Sequence, residues 1–163
     1  MEKILLGYIS GTHGLRGDLI VKSKFEKQDK AFKVGNKIYL NDELHEVTDA
    51  KIYKDRYLIK IDNMKNINLV EHYKAYDVYI DREELHLSED EYLFSDLIDM
   101  KVICNNKDYG KVVGVENYGK DDCLRVKNNK EYLIPIIKEY IKKVDLINKE
   151  IVCENIEGLI IWK

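Results

Sequence analysis

The chain has 163 residues, 45% of them hydrophobic and 35% charged, with 9 glycines and one proline. That composition is globular and excludes a disordered, collagenous or membrane-embedded chain. With 27 Lys and Arg against 30 Asp and Glu the formal net charge is −3, which excludes a general electrostatic coating of nucleic acid but leaves room for a local basic face.

At the N-terminus the apolar run Ile4-Leu5-Leu6 falls short of the roughly 7–15 residues of a secretory signal and the about 20 of a spanning helix. A cytoplasmic protein without a membrane segment is expected. Next comes the glycine-rich stretch Gly7-Tyr8-Ile9-Ser10-Gly11-Thr12-His13-Gly14-Leu15-Arg16-Gly17-Asp18. It lacks the Gly-Lys-Ser/Thr of a Walker loop, and a strand follows where a dinucleotide fingerprint needs a helix. Two readings stay open: a tight barrel loop in which glycine supplies positive φ, or a loop offering Thr12, His13 and Arg16 to phosphates. The second gains from Lys22, Lys24, Lys27, Lys30 and Lys33, since residues 13–33 hold six bases and three acids. Such groups suit a phosphate backbone.

Beyond the glycines the period is mostly 2. Strands are predicted around Leu19–Val21, over Lys51–Ile61 as two arms about a Lys54-Asp55 turn, and at Tyr76–Ile80. In the second half Met100–Cys104 and Tyr109–Glu116 flank Asn105-Asn106-Lys107-Asp108, and Leu124–Lys127 and Glu131–Ile134 flank Asn128-Asn129-Lys130. Asparagine tolerates left-handed backbone, so both breaks read as turns. Ile151–Cys153 and Leu159–Trp162 end the chain as strands. Short helices are expected at Asn66–Lys74 and, after a proline suited to a first turn, at Pro135–Lys143. Many short, closely spaced strands point to small barrels and away from a βαβ fold.

Residues 82–91 carry five acids and one base and form the best linker. The expected architecture is all-β: two small β-barrel domains with short helical segments, residues 1–83 and 92–163, joined by a short acidic linker at 84–91. Just past it Tyr92 and Phe94 sit at i and i+2, which in an extended segment places both rings on one side. They are either core aromatics or a partner-binding patch.

The chemistry-bearing residues form no active site. Cys104, Cys123 and Cys153 fit no zinc or redox spacing and read as buried, reduced thiols. The histidines 13, 45, 72 and 86 show no ligand spacing. Asp121-Asp122 reads as a turn. No cofactor, metal or catalytic residue is expected, and the protein is expected not to be an enzyme.

Taken together these blocks resemble the RimM family of ribosome maturation factors. Gly7 to Val21 resembles the opening signature G-x-I-x-G-x-H-G-L-R-G-E-V-x-V. The second half is similar to a PRC-barrel through Asp96-Leu97-Ile98, Gly110-Lys-Val112, Leu133-Ile134-Pro135, Val144-Asp145 and Glu157-Gly158-Leu159. The resemblance implies a non-catalytic factor for assembly of the small (30S) subunit, a monomer that binds the head of the pre-30S particle through 16S rRNA and the head protein numbered nineteen. It makes Gly11, His13, Gly14, Arg16 and Gly17 the RNA-side or assembly-side candidates. Tyr92 and Phe94 become the ribosomal-protein candidates, although Leu93 and Phe94 stand where the family has a second tyrosine and a tryptophan. The run at Asn66–Asp77 also departs from the family pattern. A PRC-type regulatory module of another complex is the alternative, and the glycine stretch speaks against it.

Overall fold

In the computed structural model, which describes residues 2–161, the alternating segments of the first half pair into one closed antiparallel ring. Strands β1 (Lys3–His13), β2 (Asp18–Ser23), β3 (Lys37–Leu40), β4 (Glu43–Tyr53), β5 (Arg56–Ile61) and β6 (Asp77–Asp81) run in the order β1-β2-β5-β4-β3-β6, and β6 returns to β1. Leu19, Val21, Ile38, Leu40, Ile59, Ile61, Val78 and Ile80 point inward and are fully buried, as the period of 2 requires. The ladders of β1 shift register between Leu5 and Gly7 on the β6 side and between Ile9 and Gly11 on the β2 side. Bulges of this kind bend a strand, and they let one 11-residue strand serve two neighbours. At Gly7 a Cβ would lie 2.0 Å from the Lys22 carbonyl oxygen, so β1 passes β2 too closely for any side chain.

The second half forms one seven-stranded sheet. Its strands are β7 (Lys101–Cys104), β8 (Lys107–Tyr118), β9 (Asp121–Lys127), β10 (Glu131–Pro135), β11 (Ile141–Asp145), β12 (Glu150–Cys153) and β13 (Ile160–Ile161), in the order β11-β12-β7-β8-β9-β10-β13. The β12–β7 pair is parallel. Val102, Val112, Val126, Ile134 and Ile151 make the core, and Ile141 and Val144 of β11 and Ile160 of β13 pack on the same cluster. Both ends of the sheet therefore face one interior, and the sheet coils around it. The chain divides into two compact units, Met1–Glu89 and Asp90–Lys163. The all-β, two-domain expectation holds.

Turn chemistry decides the hairpins. Lys54 and Asp55 have φ of 50° and 63°, and Asn105 and Asn106 have 52° and 64°. Positive φ at both central residues marks the two-residue hairpin turn whose twist matches the strands. The second turn is thus tighter than the sequence suggested, because Lys107 and Asp108 already belong to β8.

The helix expected over Pro135–Lys143 does not form. Pro135 ends β10 opposite Cys123. The Tyr140 and Ile141 N–H groups both donate to the Ile137 carbonyl, which is one turn and no more. From Ile141 the chain pairs with β12. A lone turn is costly to nucleate, and a neighbouring strand offers each residue a ladder bond instead. Asn66–Lys74 is helical as expected, with α2 at Ile67–Val70 and a 3₁₀ turn at Glu71–Tyr73 after a first, short α1 at Gln28–Ala31. Asn66 caps α2 by accepting the Asn68 N–H at 2.9 Å. Leu159 lies in a closing 3₁₀ turn, Glu157–Leu159, and not in a strand; Trp162 lies outside the described residues.

Candidate nucleic-acid and partner-binding sites

The glycine stretch is less of a loop than its composition suggests. Gly7, Gly11 and His13 lie within β1, and the turn itself is Gly14-Leu15-Arg16-Gly17. Gly14 and Gly17 have φ of 66° and 87°, the left-handed region that an L side chain enters only with strain. A Cβ at Gly14 would meet nothing within 4 Å, whereas one at Gly17 would lie 2.2 Å from the Met64 carbonyl oxygen. One glycine thus makes the bend and the other makes room for a neighbouring segment. That neighbour is bonded as well as close, since the Ile67 N–H donates to the Leu15 carbonyl at 3.0 Å.

Charge anchors the turn from below. Asp18 is buried, and its carboxylate takes the Lys60 ammonium at 2.7 Å and the Lys51 ammonium at 3.6 Å. Lys60 also reaches Asp49 at 3.6 Å. The hydrogen bond to Asp18 raises the Lys60 pKa above its ordinary value, against a smaller opposing effect of burial. Burying a carboxylate is unfavourable unless it is paired and hydrogen-bonded, and here both conditions are met. The rigid base leaves Leu15 and Arg16 pointing into solvent, Leu15 with 76% of its surface exposed.

Among the sequence candidates, Gly14, Arg16 and Gly17 share the turn, and Gly11 and His13 lie on the strand that feeds it. The His13 ring packs at a tilt of 48° against Tyr53 with centroids 4.6 Å apart, and Lys54 Nζ stands 5.3 Å from the same tyrosine ring. Tyr53 and Lys54, at the tip of the β4–β5 hairpin, could not be found by spacing, because a 40-residue separation carries no local signal. The lysines expected beside the turn are elsewhere. Lys22 pairs with Tyr8 at the far end of β2, four residues and so roughly 13 Å along the strand from Asp18. Lys24, Lys27, Lys30 and Lys33 follow still later in the chain. The turn therefore presents Arg16 and an aromatic–histidine pair, and the lysines near it are Lys51 and Lys60, paired with Asp18, and Lys54 at the Tyr53 ring.

Tyr92 and Phe94 do not form an extended step. Leu93 is the buried residue between them, and Phe94 opens α3, Phe94–Leu97. The Asp96 carboxylate accepts the Leu93 N–H at 2.9 Å and fixes the start of that helix. Both rings are half-buried and pack on the second unit's core, and burial raises the Tyr92 hydroxyl pKa. They serve the core on one side and stay partly open on the other.

A cluster that sequence spacing missed lies in the first unit. His45 is 8% exposed and bonds through Nδ1 to Asp62, with Glu43 3.5 Å from its other ring nitrogen. Tyr73 packs edge-on against it at 5.2 Å, and His72 and Tyr76 extend the aromatic group. Burial favours the neutral Asp62 acid, but hydrogen bonds from the Glu46 N–H and His45 outweigh it, and the Asp62 pKa is lowered. Among the described residues no group of three or more His, Cys, Asp or Glu side chains could hold a metal. The cysteines are buried and unbridged; burial pushes the Cys153 thiol up to about 12. Among the described residues no helix is long and apolar enough to cross a membrane.

Comparison with known proteins covers both units. The family model for the RimM N-terminal domain matches residues 4–85, and that for the RimM PRC barrel domain matches residues 94–159. The ribosome maturation factor RimM of Staphylococcus haemolyticus is 36% identical over 165 residues, covering 97% of this chain and 99% of that protein. Its Staphylococcus aureus counterpart is 33% identical over the same shares. A crystal structure from Pseudomonas aeruginosa, described as a RimM 16S ribosomal RNA processing protein, is 18% identical. It covers 94% of this chain and 97% of its own, with a TM-score of 0.47.

Proposed function

This chain belongs to the RimM family of ribosome maturation factors, and from that membership we propose that it matures the small ribosomal subunit by binding and not by chemistry. In this reading it engages the head of the pre-30S particle in the cytoplasm as a monomer, holds 16S rRNA and the head protein numbered nineteen during processing, and leaves. A PRC-type regulatory module would give residues 4–85 no role, although they match a domain model of their own.

The observation that carries the reading is the Gly14–Gly17 turn, held from below by Asp18 and Lys60 and from the side by Met64 and Ile67 while Arg16 stays exposed. A guanidinium offers five donors in a planar fork suited to phosphate or a base edge. A turn that is already ordered loses little entropy on binding. Gly11, His13, Gly14, Arg16 and Gly17 are accordingly assigned to the RNA side, with Arg16 as the contact and the glycines as its frame. Tyr92 and Phe94 are assigned to the ribosomal-protein side, where half-buried rings supply rigid contact area.

The test is co-sedimentation of the full chain with free small subunits and with assembled ribosomes. Arg16→Ala is expected to weaken association with free subunits about tenfold, as loss of a charge-assisted hydrogen bond does, with no change in melting temperature. Unchanged association removes Arg16 from the interface.

A further inference from the structure

We propose that the outer face of β7, β8 and β9 is a second phosphate-binding surface, built from Lys101, Lys111 and Lys127 and independent of the glycine turn. The proposal rests on the ribosomal reading above for its ligand class, but its residues and geometry lie entirely in the second unit.

The registers line these lysines up. Lys101 pairs with Lys111 across the β7–β8 ladder, and Lys111 pairs with Lys127 across β8–β9. Three like charges thus stand directly opposite one another on adjacent strands, within a span of about 10 Å. All three are exposed, and all three line one open cleft of about 620 Å³ with Asp99, Asp108, Val113 and Asn128. The cleft adjoins a smaller hollow of about 340 Å³ that shares Lys127 and Asn128 and adds Asn129, Lys130 and the Glu131 carboxylate from the β9–β10 hairpin.

Like charges directly opposite each other in a sheet are destabilising, so the row needs compensation. Little comes from within the chain. Among the described residues Lys101 and Lys111 make no ion pair, and Lys127 has Glu131 at a loose 3.8 Å while the other oxygen of that carboxylate is held by Arg125 at 2.9 Å. Of the two aspartates in the cleft, Asp108 is turned to the backbone and accepts the Gly110 N–H at 2.8 Å. Gly110 lets β8 pass this close to β9, since a Cβ there would lie 2.4 Å from the Lys127 carbonyl oxygen.

The cleft carries three lysine ammoniums against the Asp99 and Asp108 carboxylates, with the Asn128 amide and no aromatic or arginine side chain among its lining residues. Protein-binding surfaces depend on aromatic and arginine anchors, and base readout needs stacking or bidentate contacts. Three point charges with a net positive balance, one amide and no stacking ring suit the sugar–phosphate backbone, which positions without reading sequence. The occupant is therefore RNA backbone, gripped irrespective of sequence.

Salt dependence tests this on the full chain. Two probes are used: a transcript of the small-subunit rRNA head, and poly(U). Replacing all three lysines, Lys101→Gln, Lys111→Gln and Lys127→Gln, should reduce the slope of log affinity against log salt by about 2, from roughly 0.7 per single-strand phosphate contact. The effect should be the same on both probes. The corresponding triple Lys→Arg variant should keep the slope. Relief of the repulsion should leave the Gln variant melting no lower than the parent.

An unchanged slope on both RNAs in a folded Gln variant overturns the proposal. So does a lysine-dependent grip on polyglutamate with no binding to either RNA. Lysine-dependent binding to poly(U) with no preference for the head transcript would keep the row and defeat the ribosomal reading. Head binding that ignores these lysines but falls with Arg16→Ala would do the reverse.

Discussion

Asp18 Oδ1 accepts a 2.7 Å hydrogen bond from Lys60 Nζ, although 42 residues separate the two. Asp18 directly follows the glycine turn, and Lys60 lies on β5, which pairs with β2. The turn that presents Arg16 is thus fastened to the barrel wall by an ion pair that neither segment announces.

That pair sets an alkaline limit on stability. The Lys60 pKa is raised in the fold, so its contribution is full below the ordinary lysine value near 10.5 and disappears as pH rises through the higher folded value. Urea midpoints measured from pH 9 to 11.5 should fall at the alkaline end. In Lys60→Met that portion of the fall should be absent, and the unfolding free energy at pH 7 should drop by about 2 kcal/mol, the size of a hydrogen bond to a charged group. Equal alkaline limbs in both proteins would remove Lys60 from the account.

The two turn glycines separate strain from crowding. Gly14→Ala places a Cβ in open space at φ 66°, whereas Gly17→Ala drives one to 2.2 Å from the Met64 carbonyl at φ 87°. The first should cost about 1 kcal/mol from left-handed geometry alone. The second adds displaced backbone and should cost about 3 kcal/mol. For a unit of this size each kcal/mol lowers the melting temperature by roughly 4–8 °C, and calorimetry of the two variants checks the difference. Equal costs would mean that the 62–67 segment moves aside freely.

Limited proteolysis reads the boundary. Cleavage is expected within 86–91 and not at 82–85. Leu85 is buried at 2% exposure, and the Glu84 carboxylate accepts the Lys37 N–H at 2.8 Å. Backbone tied down in this way resists a protease, while exposed polar chain does not. Mass spectrometry of the first fragments decides it, and cuts confined to other loops would mean that the two units are joined elsewhere.

The amino-acid order by itself determined the β class, the two-part organisation and most hairpins, because period-2 alternation and Asn or Lys-Asp turns are local signals that survive folding. It also carried the family signature in Gly7–Val21. Pro135–Ile141 shows where local reading stops: apolar residues spaced for a helix became a turn and a strand, because β12 lay alongside to take the ladder bonds. Phe94 shows the same for an apparent extended step, which the Asp96 carboxylate closes into a helix. Only the tertiary structure could decide that Gly17 faces Met64, that Asp18 meets Lys60, that His13 packs against Tyr53, and that three lysines from β7, β8 and β9 form one row. Each of these depends on strand register, and register is settled by which faces the barrel or coiled sheet must bury, not by spacing along the chain.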